Sequence, residues 1–410
     1  MLTNLLLADS HKLRYGNVGI PGQKGFGLGV CLEDVASLDS YNMSPMQGYN
    51  DPNNINYGNY LHEPTGSVMC WIPAFKYRVN DRFPNSVDIW RPDDPSCPQN
   101  AVLHRAFIDG GHRKSGFFFC DKYLCSPSSN NIAVSVKNGS ILSLYSKSDY
   151  GKYTGSMPNC LGRLDDAITL ARSRGKGFQC MSVFQLGALR LLVLAHAQAS
   201  KSTEFNAWYD SSGQHNLPRG NTDNLKDHYN HSITWRGDPY YTNKGLTGSC
   251  TPFAASTHNG QECGIADLKG CLHQVVTGCI GNYFLSTKTR IADLDRDEMY
   301  NINHHEMYNV MTGYQGWDPN KPMFNNDNIG VHWACAGFLN TCTNVGDQMF
   351  TGMFEEDQQV FVEGNTRFPS TGVNWFMDYL QYFGLFYTAT NDERTTDSYN
   401  HGFRACCYLT

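Results

Sequence analysis

The sequence predicts a loop-rich α+β protein, more strand than helix, preceded by an extended N-terminal arm. Three observations predict it. Charged residues make up only 17% of the chain and aromatics 13%, with 39 glycines; that is a composition of sheets and loops rather than helix bundles. Apolar runs of strand length, bounded by turn residues, recur after residue 66. Two later stretches carry the spacing of helices.

Taken in order, residues 1–62 stand apart. Gly16, Gly19, Gly22, Gly25, Gly27 and Gly29 are followed by a Tyr-, Asn- and Met-rich stretch over 41–60. Gly, Pro and Asn at this density break regular structure, and few aliphatics are available for a core. The tyrosines and methionines predict an arm that orders against a neighbouring subunit or a larger particle. Residues 63–410 form the folded domain, with long insertions at about 201–250 and 286–370.

Strands are expected at Ser67–Val79, at Val102–Ile108 before the Asp109-Gly110-Gly111 turn, and at Gly116–Tyr123. Leu164, Ala167, Ile168 and Ala171 share one helical face. Asp165 and Asp166 open that helix, Arg172 and Arg174 close it, and Gly175 stops it. Ser182 heads a second helix that is apolar nearly all round, which places it in the core.

Composition also excludes. A net charge of −6 without a run of like charges argues against nucleic acid as the main partner. No stretch reaches the ~20 apolar residues of a membrane span, and the apolar start of the chain is too short for a secretory signal. Fifteen cysteines, none in a Cys-x-x-Cys pair, read as small buried hydrophobes in a reducing compartment. His304-His305-Glu306 lacks the i, i+4 histidine spacing of a metal helix. The run Asp293-Leu294-Asp295-Arg296-Asp297 lacks the glycine and glutamate of a calcium loop. The expected cofactor and metal content is therefore none.

Three blocks carry a family resemblance. Asn374-Trp375, Gly384-Leu385-Phe386, the Thr390–Asn400 loop and Gly402-Phe403-Arg404 form one. Gly264, Asp267, Leu268 and Gly270 form a second, upstream. Trp71-Ile72-Pro73-Ala74-Phe75, Ala106-Phe107 and Lys122-Tyr123 form a third. Together they resemble the C-type lectin-like fold of the formylglycine-generating-enzyme branch. That branch includes phage receptor-binding proteins and the variable proteins of diversity-generating retroelements. The resemblance implies small twisted antiparallel sheets with two helices. It also implies a binding face on the C-terminal segment.

The enzymes of that branch use a cysteine pair before the Gly-Phe-Arg strand, and Ser370–Gly402 contains no cysteine. No serine elbow or phosphate-cradling loop occurs either. The expected function is therefore non-catalytic: a virion-associated receptor-binding protein or adhesin of a phage, of the tail-fibre or tail-tip type, made in the host cytoplasm. A structural virion protein and a formylglycine-generating-type oxidoreductase are the alternatives. The candidate ligand-binding residues are Asn374, Asp378, Tyr379, Gln381, Tyr382, Tyr387, Thr388, Asn391 and Tyr399, a mixture of rigid aromatics and adaptable amides suited to recognition. Phe376, Phe383, Leu385, Phe403 and Trp375 are expected inside. The implied partners are a host surface glycan or protein, other virion proteins through the arm, and further copies of the chain as a trimer.

Overall fold

A computed structural model describes residues 15–33, 35–80, 86–109, 113–114, 116–128, 130, 132–144, 166–199, 224–227, 231–239, 244–268, 273–277, 279–282, 290–292, 308–310, 366–371, 388–393 and 401–408. The chain opens with α1 (Val35–Ser40), β1 (Met43–Pro45), β2 (Asn59–His62), β3 (Ser67–Pro73), β4 (Lys76–Asn80), β5 (Ser86–Trp90) and β6 (Val102–Leu103). Next come β7 (Ile108–Asp109), β8 (Arg113–Lys114), β9 (Phe117–Asp121), β10 (Cys125–Pro127), β11 (Ala133–Ser135), α2 (Asp166–Arg172), β12 (Phe178–Cys180) and α3 (Val183–Ala199). The last strands are β13 (His273–Val275), β14 (Cys279–Asn282), β15 (Arg290–Ala292), β16 (Tyr308–Val310), β17 (Thr366–Thr371), β18 (Thr388–Glu393), β19 (His401–Gly402) and β20 (Ala405–Cys407). The result is a loop-rich α+β protein of small, mostly antiparallel sheets.

The main sheet runs β1-β2-β3-β9-β20-β12, antiparallel throughout. Its middle is built from the two most apolar runs, Val68–Ile72 and Phe117–Cys120. Phe117 to Cys120 are all buried, and a strand covered on both faces has no polar alternation to show. The last strand in sequence, β20, is inserted between β9 and β12 and so belongs to the core. Cys70, Cys120 and Cys406 stand directly opposite one another across three strands. The ten described cysteines are free thiols, and eight are buried.

A second sheet runs β16-β15-β14-β17-β13-β19, with β18 on β17. Its pairs are antiparallel except β13 with β19, which is parallel.

The buried helix α3 matches the sequence reading. Its N-terminus is a reciprocal capping box: Gln185 N donates to Ser182 Oγ at 3.2 Å, and Ser182 N donates to Gln185 Oε1 at 2.8 Å. Phe184 to Ala197 are buried, Arg190 and His196 included.

Four expectations are corrected. First, residues 15–62 are not an arm extended toward another subunit. Val18, Phe26, Leu28, Tyr41, Met43 and Tyr60 lie in the main core. Gly22 N donates to His196 Nδ1 at 3.1 Å, and Asn259 Nδ2 donates to the Phe26 carbonyl at 3.0 Å. A few large side chains and backbone hydrogen bonds replace the missing aliphatics. Second, residues 201–250 are not wholly a surface insertion. Ile233, Trp235 and Cys250 pack with Leu124, Ile141 and Ala255 in a second, smaller core. Third, Val102–Ile108 is broken by a 3-10 turn at Arg105–Phe107, which carries Phe107 into the core. Fourth, Arg174 does not serve a helix end; it is fully buried on Asp121. Among the described residues no helix is long and apolar enough to cross a membrane.

Candidate functional site

All nine candidate ligand-binding residues fall between residues 372 and 400, and the structure fixes how that stretch is held. β13 is three residues long, yet it pairs on both sides. Gln274 and Val275 pair with Thr371 and Ser370 of β17. His273 and Gln274 pair with His401 and Gly402 of β19. The stretch therefore leaves one side of β13 and returns to its other side. Of the nine, Asn374, Asp378, Tyr379, Gln381, Tyr382, Tyr387 and Tyr399 lie outside the described residues, as do Trp375, Phe376, Phe383 and Leu385. Thr388 and Asn391 belong to β18, where Thr388 pairs with Thr371. Asn391 lies at a register shift beside Pro369, whose missing N–H interrupts the ladder.

Beneath this anchor lies a buried polar centre. Gln274 Oε1 accepts from Arg404 Nε at 3.0 Å, while Gln274 Nε2 donates to the Asp267 carbonyl at 3.2 Å. The other Arg404 nitrogens donate to the carbonyls of Asp121 and Ala266, both at 2.8 Å. Asp121 accepts from Arg174 Nη1 at 2.6 Å and from the Ala405 backbone N–H at 2.9 Å. Charges buried this deeply persist only when every donor finds an acceptor. Arg404 and the Gly264–Leu268 block, far apart in sequence, thus meet directly.

The block's own residues have local reasons. A Cβ on Gly264 would stand 2.2 Å from Asn259 Oδ1, so only glycine fits. Asp267 adopts a left-handed backbone, φ +58°. Its carboxyl accepts from Gly248 N at 2.8 Å and from Leu124 N at 3.3 Å. Burial pushes that carboxyl up to about 6, against the pull of Arg404 and the two backbone donors. Nearby, burial and neighbouring cations hold His258 down to about 3. Its Nδ1 accepts from Ile265 N at 2.9 Å, which places the neutral ring's proton on Nε2.

The sequence placed Arg174 at a helix end and Lys122 in the third block without their buried roles, and missed Asp121 and Gln274. Asp121 and Lys122 carried a signal: two charges ending an apolar run. Lys122 is 4% exposed and donates to Asn59 Oδ1 at 2.7 Å, to the Glu262 carbonyl at 2.8 Å and to the Ile55 carbonyl at 3.3 Å. Phe403 is buried as expected. His304-His305-Glu306 and Asp293–Asp297 lie outside the described residues. Among the described residues no group of three or more His, Cys, Asp or Glu is arranged to hold a metal. His273 and His401 form a buried pair with ring centroids 5.4 Å apart.

Neither a protein-family model nor a curated relative matches the chain. Among solved structures, the Major Tropism Determinant I1 and U1 variants are each 13% identical with a TM-score of 0.32. Each alignment covers 82% of this chain and 72% of the other. The M1 variant gives the same identity and TM-score over 82% and 71%. That superposition is too loose to establish a shared fold, so the functional reading rests on the residues themselves.

Proposed function

We propose that the chain is a receptor-binding protein of a phage virion, in which a C-type lectin-like fold displays residues 372–400 to a host surface molecule. The observation that carries this reading is the double anchoring of that stretch on β13. A recognition segment needs fixed ends on a rigid base, because ordering it at the moment of binding costs affinity. The base here is the Arg404–Gln274 pair, to which the lectin-like blocks contribute Arg404 and the Ala266 and Asp267 carbonyls.

On this reading the chemistry is recognition without catalysis. Tyrosine rings stack on a glycan or protein, and Asn and Thr supply hydrogen bonds. No cofactor takes part. Three copies assemble around the particle, and docking onto other virion proteins falls to a surface of the folded domain rather than to residues 15–62.

The test is host attachment. Tyr382→Ala and Tyr387→Ala, in the purified protein, should each weaken binding to host cells at least about tenfold, the scale of a modest hot spot, with an unchanged melting temperature. Attachment that survives both substitutions would sink the proposal and favour a packing role in the virion.

A further inference from the structure

A second site stands apart from the β13 anchor. A cleft of about 260 Å³ opens between the turn at Pro52–Ile55 and the turn at Gly260–Cys263, with Lys24 at its edge. We propose that this cleft is a saccharide-binding subsite.

Its walls are built in advance. The Lys122 ammonium, under the cleft, donates to the Ile55 carbonyl of one wall and to the Glu262 carbonyl of the other. One buried cation therefore sets the spacing between them. Gln261 adds a second tie: its Oε1 accepts from Gly25 N at 2.8 Å, and its Nε2 donates to the Gln23 carbonyl at 3.3 Å. Asn54 Oδ1 accepts from the Asn56 N–H at 3.0 Å and its amide lies against Gly48, which fixes the Pro52–Ile55 turn. A site fixed before binding loses little entropy when a ligand enters.

The lining matches a sugar ring. Ile55 is 56% exposed, large for an isoleucine, and with Pro52 gives an apolar patch for the ring's C–H face. The Lys24 ammonium, which spends one N–H on Asn53 Oδ1 at 3.2 Å, and the Glu262 carboxylate offer donors and an acceptor to hydroxyl groups. Lys24 and Glu262 carry opposite charges, so the lining selects no strong charge and favours a neutral ligand. The volume suits one ring rather than a long chain. A peptide is disfavoured because, among the described residues, no edge strand borders the cleft to pair with its backbone.

The test uses the full-length protein and methyl glycosides of glucose, galactose, mannose and N-acetylglucosamine at millimolar concentration, followed by saturation-transfer NMR. At least one glycoside should bind. Glu262→Ala and Ile55→Ser, both at exposed positions, should each weaken it at least fivefold, while circular dichroism stays that of the wild type. Loss of glycoside binding on these two substitutions, neither of them in the 372–400 stretch, separates this subsite from that stretch. No bound glycoside, binding indifferent to both cleft substitutions, or binding of an unrelated tripeptide in place of every glycoside would overturn the proposal.

Discussion

Residues 41–60 and 374–400 each mix four tyrosines with asparagines, yet the chain attaches them differently. The first pairs near its two ends, β1 on β2. β1 and β2 continue the main sheet from β3, with Tyr60 opposite Met69 and Asn59 opposite Cys70. Tyr60 is fully buried, edge-on to Phe119 at 5.1 Å, and its hydroxyl accepts from Cys31 N at 2.9 Å. The second is flanked by pairs on the two sides of β13, and its own β18 pairs with β17. A tyrosine–amide mixture is therefore no proof of exposure: Tyr60 lies in one and is core.

The sharpest way to break the comparison is to remove what both regions lean on. Asp121→Ala leaves Arg174 buried without its carboxylate and Ala405 N without its acceptor. Losing one partner of a buried pair costs about 3–5 kcal/mol. Urea unfolding should show that loss, and host attachment should fall with it because β20 and the β13 anchor share the centre. An Asp121→Ala protein of wild-type stability would mean the centre supports neither region.

The two tyrosine sets give a paired test of similar size. Tyr60→Ala removes a fully buried aromatic and should cost about 3–5 kcal/mol. Tyr382→Ala should cost under about 0.5 kcal/mol, as a surface substitution does, while attachment drops. Equal losses of stability from the two would erase the distinction.

Much of the interior could be read from the chain. The Phe117–Cys120 run, the Ser182 cap and the all-round apolar helix behind it signal burial through local pattern alone, and local pattern is what a sequence displays. The fate of residues 15–62 could not be read that way. Its buried state depends on Asn259, Gln261 and His196, which lie far along the chain and show no periodicity. Arg174 misled for the same reason: a cation after a helix suits the dipole, and only the approach of Asp121 reveals its pairing. The candidate stretch was recognised by composition and by its Gly-Phe-Arg ending. Its clamp, β13, is too short to announce itself.

Acid should probe the junction where the N-terminal region meets the rest. His258 has its folded pKa lowered from 6.5 to about 3, and His62 from 6.5 to about 4. For both, the folded state binds fewer protons than the unfolded chain, so the stability they support is present above pH 6.5 and lost as pH falls. Asp267, raised from 3.8 to about 6, works oppositely: its folded state binds more protons, so falling pH relieves a strain between 6 and 3.8. At 1.36 kcal/mol per unit, each histidine costs about 2 kcal/mol by pH 5 and Asp267 returns about 1. Net stability should drop between pH 7 and 5. His258→Gln should flatten that drop by about 2 kcal/mol; an unchanged slope would show that the ring titrates freely in the fold.

The smallest effect expected is at the head of α3. Ser182 and Gln185 satisfy each other's backbone N–H groups, and Thr277 N–H donates next door to the Met181 carbonyl, tying the cap to the β13 region. Ser182→Ala removes one acceptor and should cost about 1 kcal/mol in urea. Because the Gln185 half of the box stays in place, Ser182→Ala with Gln185→Ala should cost more than the two singles added, as each single leaves its partner one remaining bond. Strict additivity would mean that the two bonds form independently and that α3 is positioned by its packing alone.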